Sequence, residues 1–144
     1  MNTTVRTATI FDLDELVSID TVAEADASRR NSISNWLRRD TVLAAEEEGQ
    51  VVGYAVLNYA FFGRCHIDML MVAEANRGRG IGQRLLQGIE SMASSTKVFV
   101  TTNQSNLRMQ KLLLRNGYKI CGFIEELDPG DPEVVFFKVR GQKE

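Results

Sequence analysis

Cysteine and proline are scarce in this chain. Its 144 residues hold two of each, together with one histidine and one tryptophan. Cys65 and Cys121 lie far apart and form no Cys-x-x-Cys pair, which excludes a disulfide scaffold. One bridge is formally open, but two free thiols in a reducing compartment are the expectation. His66 with two scattered cysteines supplies too few ligands for structural zinc, so no metal is expected. Neither sign of charge dominates: 17 basic residues against 19 acidic give a net charge of −2, which argues against a nucleic-acid partner. No apolar run approaches the ~20 residues that span a bilayer. Met1 to Arg6 lacks the apolar core of a signal peptide. No membrane partner and a cytoplasmic location are therefore expected.

What is present is ordinary for a globular protein, with 44% apolar and 25% charged residues. The length predicts one domain over residues 1–144. Thr3–Thr9 reads as a strand, and Asp12 as the N-cap of a helix carrying Leu13, Leu16, Val17 and Asp20. Ser32–Arg39 reads as a second helix. Strands at Thr41–Glu46 and Val51–Phe61 flank a polar turn, and Gly63 leads into a strand at Arg64–Val72. The apolar period then lengthens, and Ile81, Leu85, Ile89 and Met92 share one helical face. Lys97–Thr102 reads as a strand and Asn106–Asn116 as a helix with Gly117 as its C-cap; Tyr118–Leu127 and Val134–Val139 form a closing hairpin. The order β-α-α-β-β-β-α-β-α-β-β predicts an α/β fold with a mixed, mostly antiparallel central sheet and helices on both faces.

The most informative stretch is Arg77-Gly78-Arg79-Gly80-Ile81-Gly82, between a strand and a helix. The first N–H groups of a helix have no intrahelical partner, and the dipole there favours anions. Glycines let such a loop approach a phosphate closely, and Arg77 and Arg79 add positive charge. The spacing is not that of a dinucleotide fingerprint, and no Gly-Lys-Ser/Thr follows as in a P-loop. It resembles the Arg/Gln-x-x-Gly-x-Gly/Ala signature of the GNAT superfamily of acyl-coenzyme A-dependent N-acetyltransferases, with Arg77, Gly80 and Gly82 at the defining positions. Met69-Leu70-Met71-Val72 is similar to that family's central strand. Asn106, Arg115, Gly117 and Tyr118 are similar to its second motif, with Met109 where an alanine is usual.

The resemblance implies a GNAT-like fold over nearly the whole chain and acetyl-coenzyme A as co-substrate. It implies that amides of the loop, Arg77, Gly78, Arg79, Gly80, Ile81 and Gly82, hold the pyrophosphate, while Met71 and Val72 serve the pantetheine arm and Asn106 caps or orients it. It further implies direct attack by an amine within a ternary complex. Dimers are frequent in that superfamily, which leaves a homodimer open. The chain departs from the pattern at Leu113, where many members carry a tyrosine that protonates the leaving sulfur.

An attacking amine must lose a proton. Strand periodicity places His66, Asp68 and Leu70 on one face of Arg64–Val72, so His66 and Asp68 are the candidate proton relay. Structural roles stand equally open: an ion pair of Asp68 with an arginine, and a hydrogen-bonded packing histidine. Neither cysteine has the partners of a nucleophile. For the acceptor, the acidic run Glu125, Glu126, Asp128, Asp131 and Glu133 reads as a solvated loop that is also able to attract a cationic amine. Arg29, Arg30, Arg38 and Arg39 fit a carboxylate, a partner or neither. Trp36, Tyr59, Phe61 and Phe62 fit a core or an acceptor pocket, the core being the commoner fate. Two other functions follow from the same residues: a non-catalytic acyl-coenzyme A-binding module, favoured by Leu113, and an RNA-binding loop at Asn76–Gly80, disfavoured by the acidic total.

Overall fold

In the computed structural model, residues 2–140 are described. Seven strands and four α-helices follow one another as β1 (Thr3–Thr7), α1 (Leu13–Ile19), α2 (Ser28–Arg39), β2 (Thr41–Glu47), β3 (Gln50–Phe61), β4 (Arg64–Val72), α3 (Ile81–Met92), β5 (Lys97–Asn103), α4 (Leu107–Arg115), β6 (Lys119–Ile124) and β7 (Glu133–Val139). The order matches the one read from the sequence. The sheet runs β1-β2-β3-β4-β5-β7-β6, with β4 and β5 parallel and β1-β2, β2-β3, β5-β7 and β6-β7 antiparallel. The fold is thus a mixed α/β arrangement around a mostly antiparallel seven-stranded sheet. The chain forms two compact units, Met1–Leu57 with Met69–Met92 and Asn58–Asp68 with Ala93–Glu144.

In the first unit the core gathers Leu16 and Ile33 from α1 and α2 with Val42, Ala44, Val51, Tyr54, Val56 and Met71 from the strands. The α1 region departs from expectation. Asp12 does not cap α1 with its side chain. It closes a capping box one turn earlier, where Thr9 Oγ1 accepts from Phe11 N and Asp12 Oδ2 accepts from Thr9 N. Arg6 grips the same carboxylate at 2.8 Å, which holds Asp12 below the usual carboxylate range. Helix α2 starts four residues before the predicted Ser32, because Arg29 and Arg30 are good helix formers that give no apolar signal. Gly88 in α3 allows close packing: a Cβ there would meet Leu43 Cδ1 at 3.1 Å and Val5 Cγ1 at 3.2 Å.

Asp20, expected to continue the spacing of the first helix, stands one residue past α1 and is fully buried. Its carboxylate accepts from Tyr54 Oη at 2.5 Å, Val22 N at 2.8 Å, Arg29 Nε at 3.0 Å and Ala23 N at 3.1 Å. A buried charge persists only when so fully satisfied. Burial first, and the bond to Asp20 second, push the Tyr54 hydroxyl well above its ordinary pKa of 10.0.

In the second unit α4 is capped at both ends. Asn106 Oδ1 accepts from Met109 N at 3.2 Å, and Tyr118 N and Gly117 N donate to Leu113 and Leu114 carbonyls in the Schellman pattern, with Gly117 at φ +88°. Strand β5 pairs with β7 along its whole length, and His66 and Ile67 of β4 lie opposite Phe99 and Val100.

Candidate functional site

The first candidate belongs to the first unit. Strand β4 ends at Val72, whose successor Ala73 donates to Val52 O at 2.8 Å. A short 3-10 turn, Glu74–Asn76, leads into the glycine turn. Gly78 and Gly80 both have left-handed φ, +80° and +83°, and a Cβ built on either would meet nothing within 4 Å. The backbone there is bare and faces open space. Ile81 and Gly82 open α3, and the first intrahelical bond is Arg84 N to Gly80 O at 3.1 Å. The amides of the first turn therefore have no acceptor within the helix. Space in front of left-handed glycines at a helix start fits a phosphate group.

The two arginines of the turn behave less simply than their charge suggested. Arg77 folds back, its Nε donating to Val72 O at 3.0 Å. Arg79 donates from Nη2 alone to both oxygens of Glu47, at 2.6 and 2.7 Å. The Thr3 hydroxyl, at 2.7 Å, and then Arg79 hold the Glu47 carboxyl below its usual range, against the opposing effect of burial. Nothing local in the sequence points to Glu47, because its partner lies 32 residues away. The turn's pull on an anion thus rests mainly on backbone N–H groups. Met71 is buried on β4, close beneath Gly53, where an added Cβ would lie 2.9 Å from Met71 O.

The second candidate belongs to the second unit. His66 is 8% exposed, and its Nδ1 lies 2.6 Å from Asp68 Oδ1. The two residues share a face of β4, as strand parity predicted. Asp68 Oδ2 accepts from Asn58 Nδ2 at 2.8 Å, an amide standing where an arginine was the expected structural partner. An ionised carboxylate only accepts hydrogen bonds, so the contact with Asp68 places a hydrogen on Nδ1 and leaves Nε2 as the ring nitrogen turned away from the carboxylate. Thr101 Oγ1 approaches that nitrogen at 3.4 Å. The Phe61 ring lies flat on the imidazole, centroids 4.8 Å apart and planes 19° from parallel. The sequence does not pair Asn58, Thr101 and Phe61 with these two residues; only tertiary pairing brings them in.

Other candidates have structural positions. Asn106 caps α4. Leu113 is fully buried, and Tyr118 is 2% exposed beneath the Lys138 ammonium, 5.6 Å from its ring centre. Cys65 is buried, which pushes its thiol pKa up and makes it a poor nucleophile; Cys121 is exposed. Arg29 is committed to Asp20 and lies over the Trp36 ring at 5.4 Å; Arg30 pairs with Asp14 at 2.6 Å. Of the acidic run, Asp131 accepts from Ser105 N and Oγ, and Asp128 from Asn103 Nδ2. Among the described residues no group of three or more His, Cys, Asp or Glu side chains could hold a metal, and no helix is long and apolar enough to cross a membrane.

Known proteins resemble this chain in sequence and in fold. Residues 10–118 match the family model of the acetyltransferase (GNAT) family. An acetyltransferase of the GNAT family from Bacillus cereus superposes with a TM-score of 0.91 at 32% identity, over 99% of this chain and 100% of that one. An uncharacterised N-acetyltransferase from Mycobacterium bovis is 28% identical over 87 residues, 58% of this chain and 56% of the relative. The match thus spans about half the length of that curated relative. A Bacillus anthracis structure assigned to streptothricin acetylation, solved in complex with acetyl coenzyme A, shares the fold with a TM-score of 0.76 at 14% identity, over 96% of this chain and 99% of that one.

Proposed function

Because the chain belongs to the GNAT family of acetyltransferases, we propose that it moves an acetyl group from acetyl-coenzyme A to a primary amine of a small molecule or protein, by direct attack within a ternary complex. The observation that carries this reading is the turn at 77–82, with Gly78 and Gly80 bare over open space at the head of α3. The amides of Arg77, Gly78, Arg79, Gly80, Ile81 and Gly82 would hold the pyrophosphate, while the Arg77 guanidinium is tied back to Val72 O. Met71 and Val72 would serve the pantetheine arm, and Asn106 would act through the start of α4. The neighbour that binds acetyl coenzyme A, although only its fold is shared, supports the same co-substrate.

Acetyl-coenzyme A supplies an activated thioester; the chain supplies position and a proton acceptor. His66 takes the proton of the amine at Nε2 as nitrogen attacks. Asp68 is a positioning residue: it fixes the ring through Nδ1 and stabilises the imidazolium, and Asn58 fixes Asp68. Strand β4 carries His66 and Asp68 in the same element as Met71 and Val72. No acetyl-cysteine is needed, and the buried Cys65 thiol is unsuited to one. Leu113 offers no proton to the departing sulfur, and a thiol of parent pKa about 8.5 departs with little help. The test is release of coenzyme A thiol from acetyl-coenzyme A across amines, amino acids and peptides. Release that depends on an amine is expected; a protein that neither binds acetyl-coenzyme A nor turns over overturns the reading.

A further inference from the structure

We propose that the turn joining β3 and β4 recognises the acceptor, and that this acceptor is a primary amine carried on an aromatic group. The proposal deepens the acetyl-transfer reading and rests on it. Phe62 and Gly63 make a two-residue turn with φ of +53° and +73°. Turns of that hand favour Asn-Gly, because an L side chain crowds its own backbone there. Yet the chain holds a phenylalanine at this position that is 85% exposed as a whole residue. Backbone strain and apolar surface in water are both unfavourable, and the ring meets Phe61 edge-on, at 5.0 Å and 84°.

The rings beyond it give the placement a use. Phe62 meets Phe61, Phe61 lies flat on the imidazole of His66, and Phe99 stands 5.7 Å from Phe61. Aromatic surface therefore runs without a break from solvent to the proposed base. Tyr59 steadies this end of β3, its hydroxyl bonded to Ser94 Oγ at 2.7 Å and accepting from Ser94 N at 2.9 Å. An acceptor whose ring packs on Phe62 and Phe61 holds an amino nitrogen, one or two methylenes away, beside His66.

His66 is the chain's single histidine, so its imidazole proton signals are an unambiguous probe. Titration with 2-phenylethylamine should shift those signals, and titration with putrescine should shift them far less. Thiol release should favour 2-phenylethylamine by about tenfold or more in kcat/KM. Phe62→Asn removes the ring while suiting the turn. It should keep or raise the melting temperature, weaken 2-phenylethylamine binding about tenfold and bring the selectivity ratio towards one through KM. Phe62→Tyr should keep both binding and ratio. An imidazole signal indifferent to the aromatic amine, or the same selectivity in wild type and Phe62→Asn, overturns the proposal. Thiol release without such selectivity would leave the transferase reading standing alone. A Phe62-dependent shift without thiol release from any amine would sink the transferase and keep the aromatic site.

Discussion

The turn at 77–82 is made by leaving space, and the cluster around His66 by filling it. At Gly78 and Gly80 no atom stands where a side chain would go, and the arginines between and before them are tied to their own neighbours. Around His66 neighbours crowd in: Asp68 at Nδ1, Thr101 3.4 Å from Nε2 and Phe61 against its face. A backbone site of the first kind tolerates many side chains but not a filled gap. A side-chain site of the second kind is undone by changing any of several residues.

Gly82→Asp tests the first half of that contrast most severely. Gly82 lies in α3 outside the left-handed set, so the backbone accepts a side chain there. A carboxylate about 4 Å from a phosphate costs roughly 4 kcal/mol at an effective dielectric of about 20. Affinity for coenzyme A should fall about a thousandfold by calorimetry, with an unchanged circular dichroism spectrum; retained affinity would show that the anion sits elsewhere. His66→Ala tests the second half and should lower kcat about a hundredfold at neutral pH. Asp68→Asn should cost about tenfold there and less at high pH, where the acceptor is already a free amine. A flat loss across pH would assign the proton to another group. The smallest effect separates two kinds of glycine. Gly53→Ala sets a methyl 2.9 Å from Met71 O and 3.0 Å from Leu85 Cδ1, and should destabilise by about 1–3 kcal/mol in urea unfolding. Gly80→Ala meets no atom, so its cost is the left-handed backbone alone, about 1–2 kcal/mol. Equal coenzyme affinity in wild type and Gly53→Ala, once folding is matched, would confine recognition to the turn.

The same contrast explains what could be read from the chain alone. The turn was legible because glycine spacing, a preceding strand and a following amphipathic helix are all local. The strand carrying His66 and Asp68 was legible too, and period two put both on one face. Their partners were not, since Asn58, Thr101 and Phe61 reach the pair only through strand pairing and a hairpin turn. Asp20 was misread for a related reason. Its place in the helical spacing was plausible, and only burial against Tyr54 and Arg29 reveals a charge anchoring the segment after α1. The acidic hairpin is exposed from Glu125 to Gly130, as a solvated loop should be, but nothing in the sequence signals that Asp128 and Asp131 bond it to Asn103 at the end of β5 and to Ser105 just before α4.

Strand β6 ends the sheet, and its pairing with β7 jumps from Ile120–Phe136 to Gly122–Val135, leaving Cys121 opposite nothing. An outermost strand with free amides and carbonyls is a template on which further copies can stack. The irregularity bends this one out of the straight, flat shape such stacking requires, and Lys119 sets a charge at its start. Ile120 and Phe123 leave apolar surface in water along the same strand, so the break in its pairing falls where a straight edge would be most exposed to self-association.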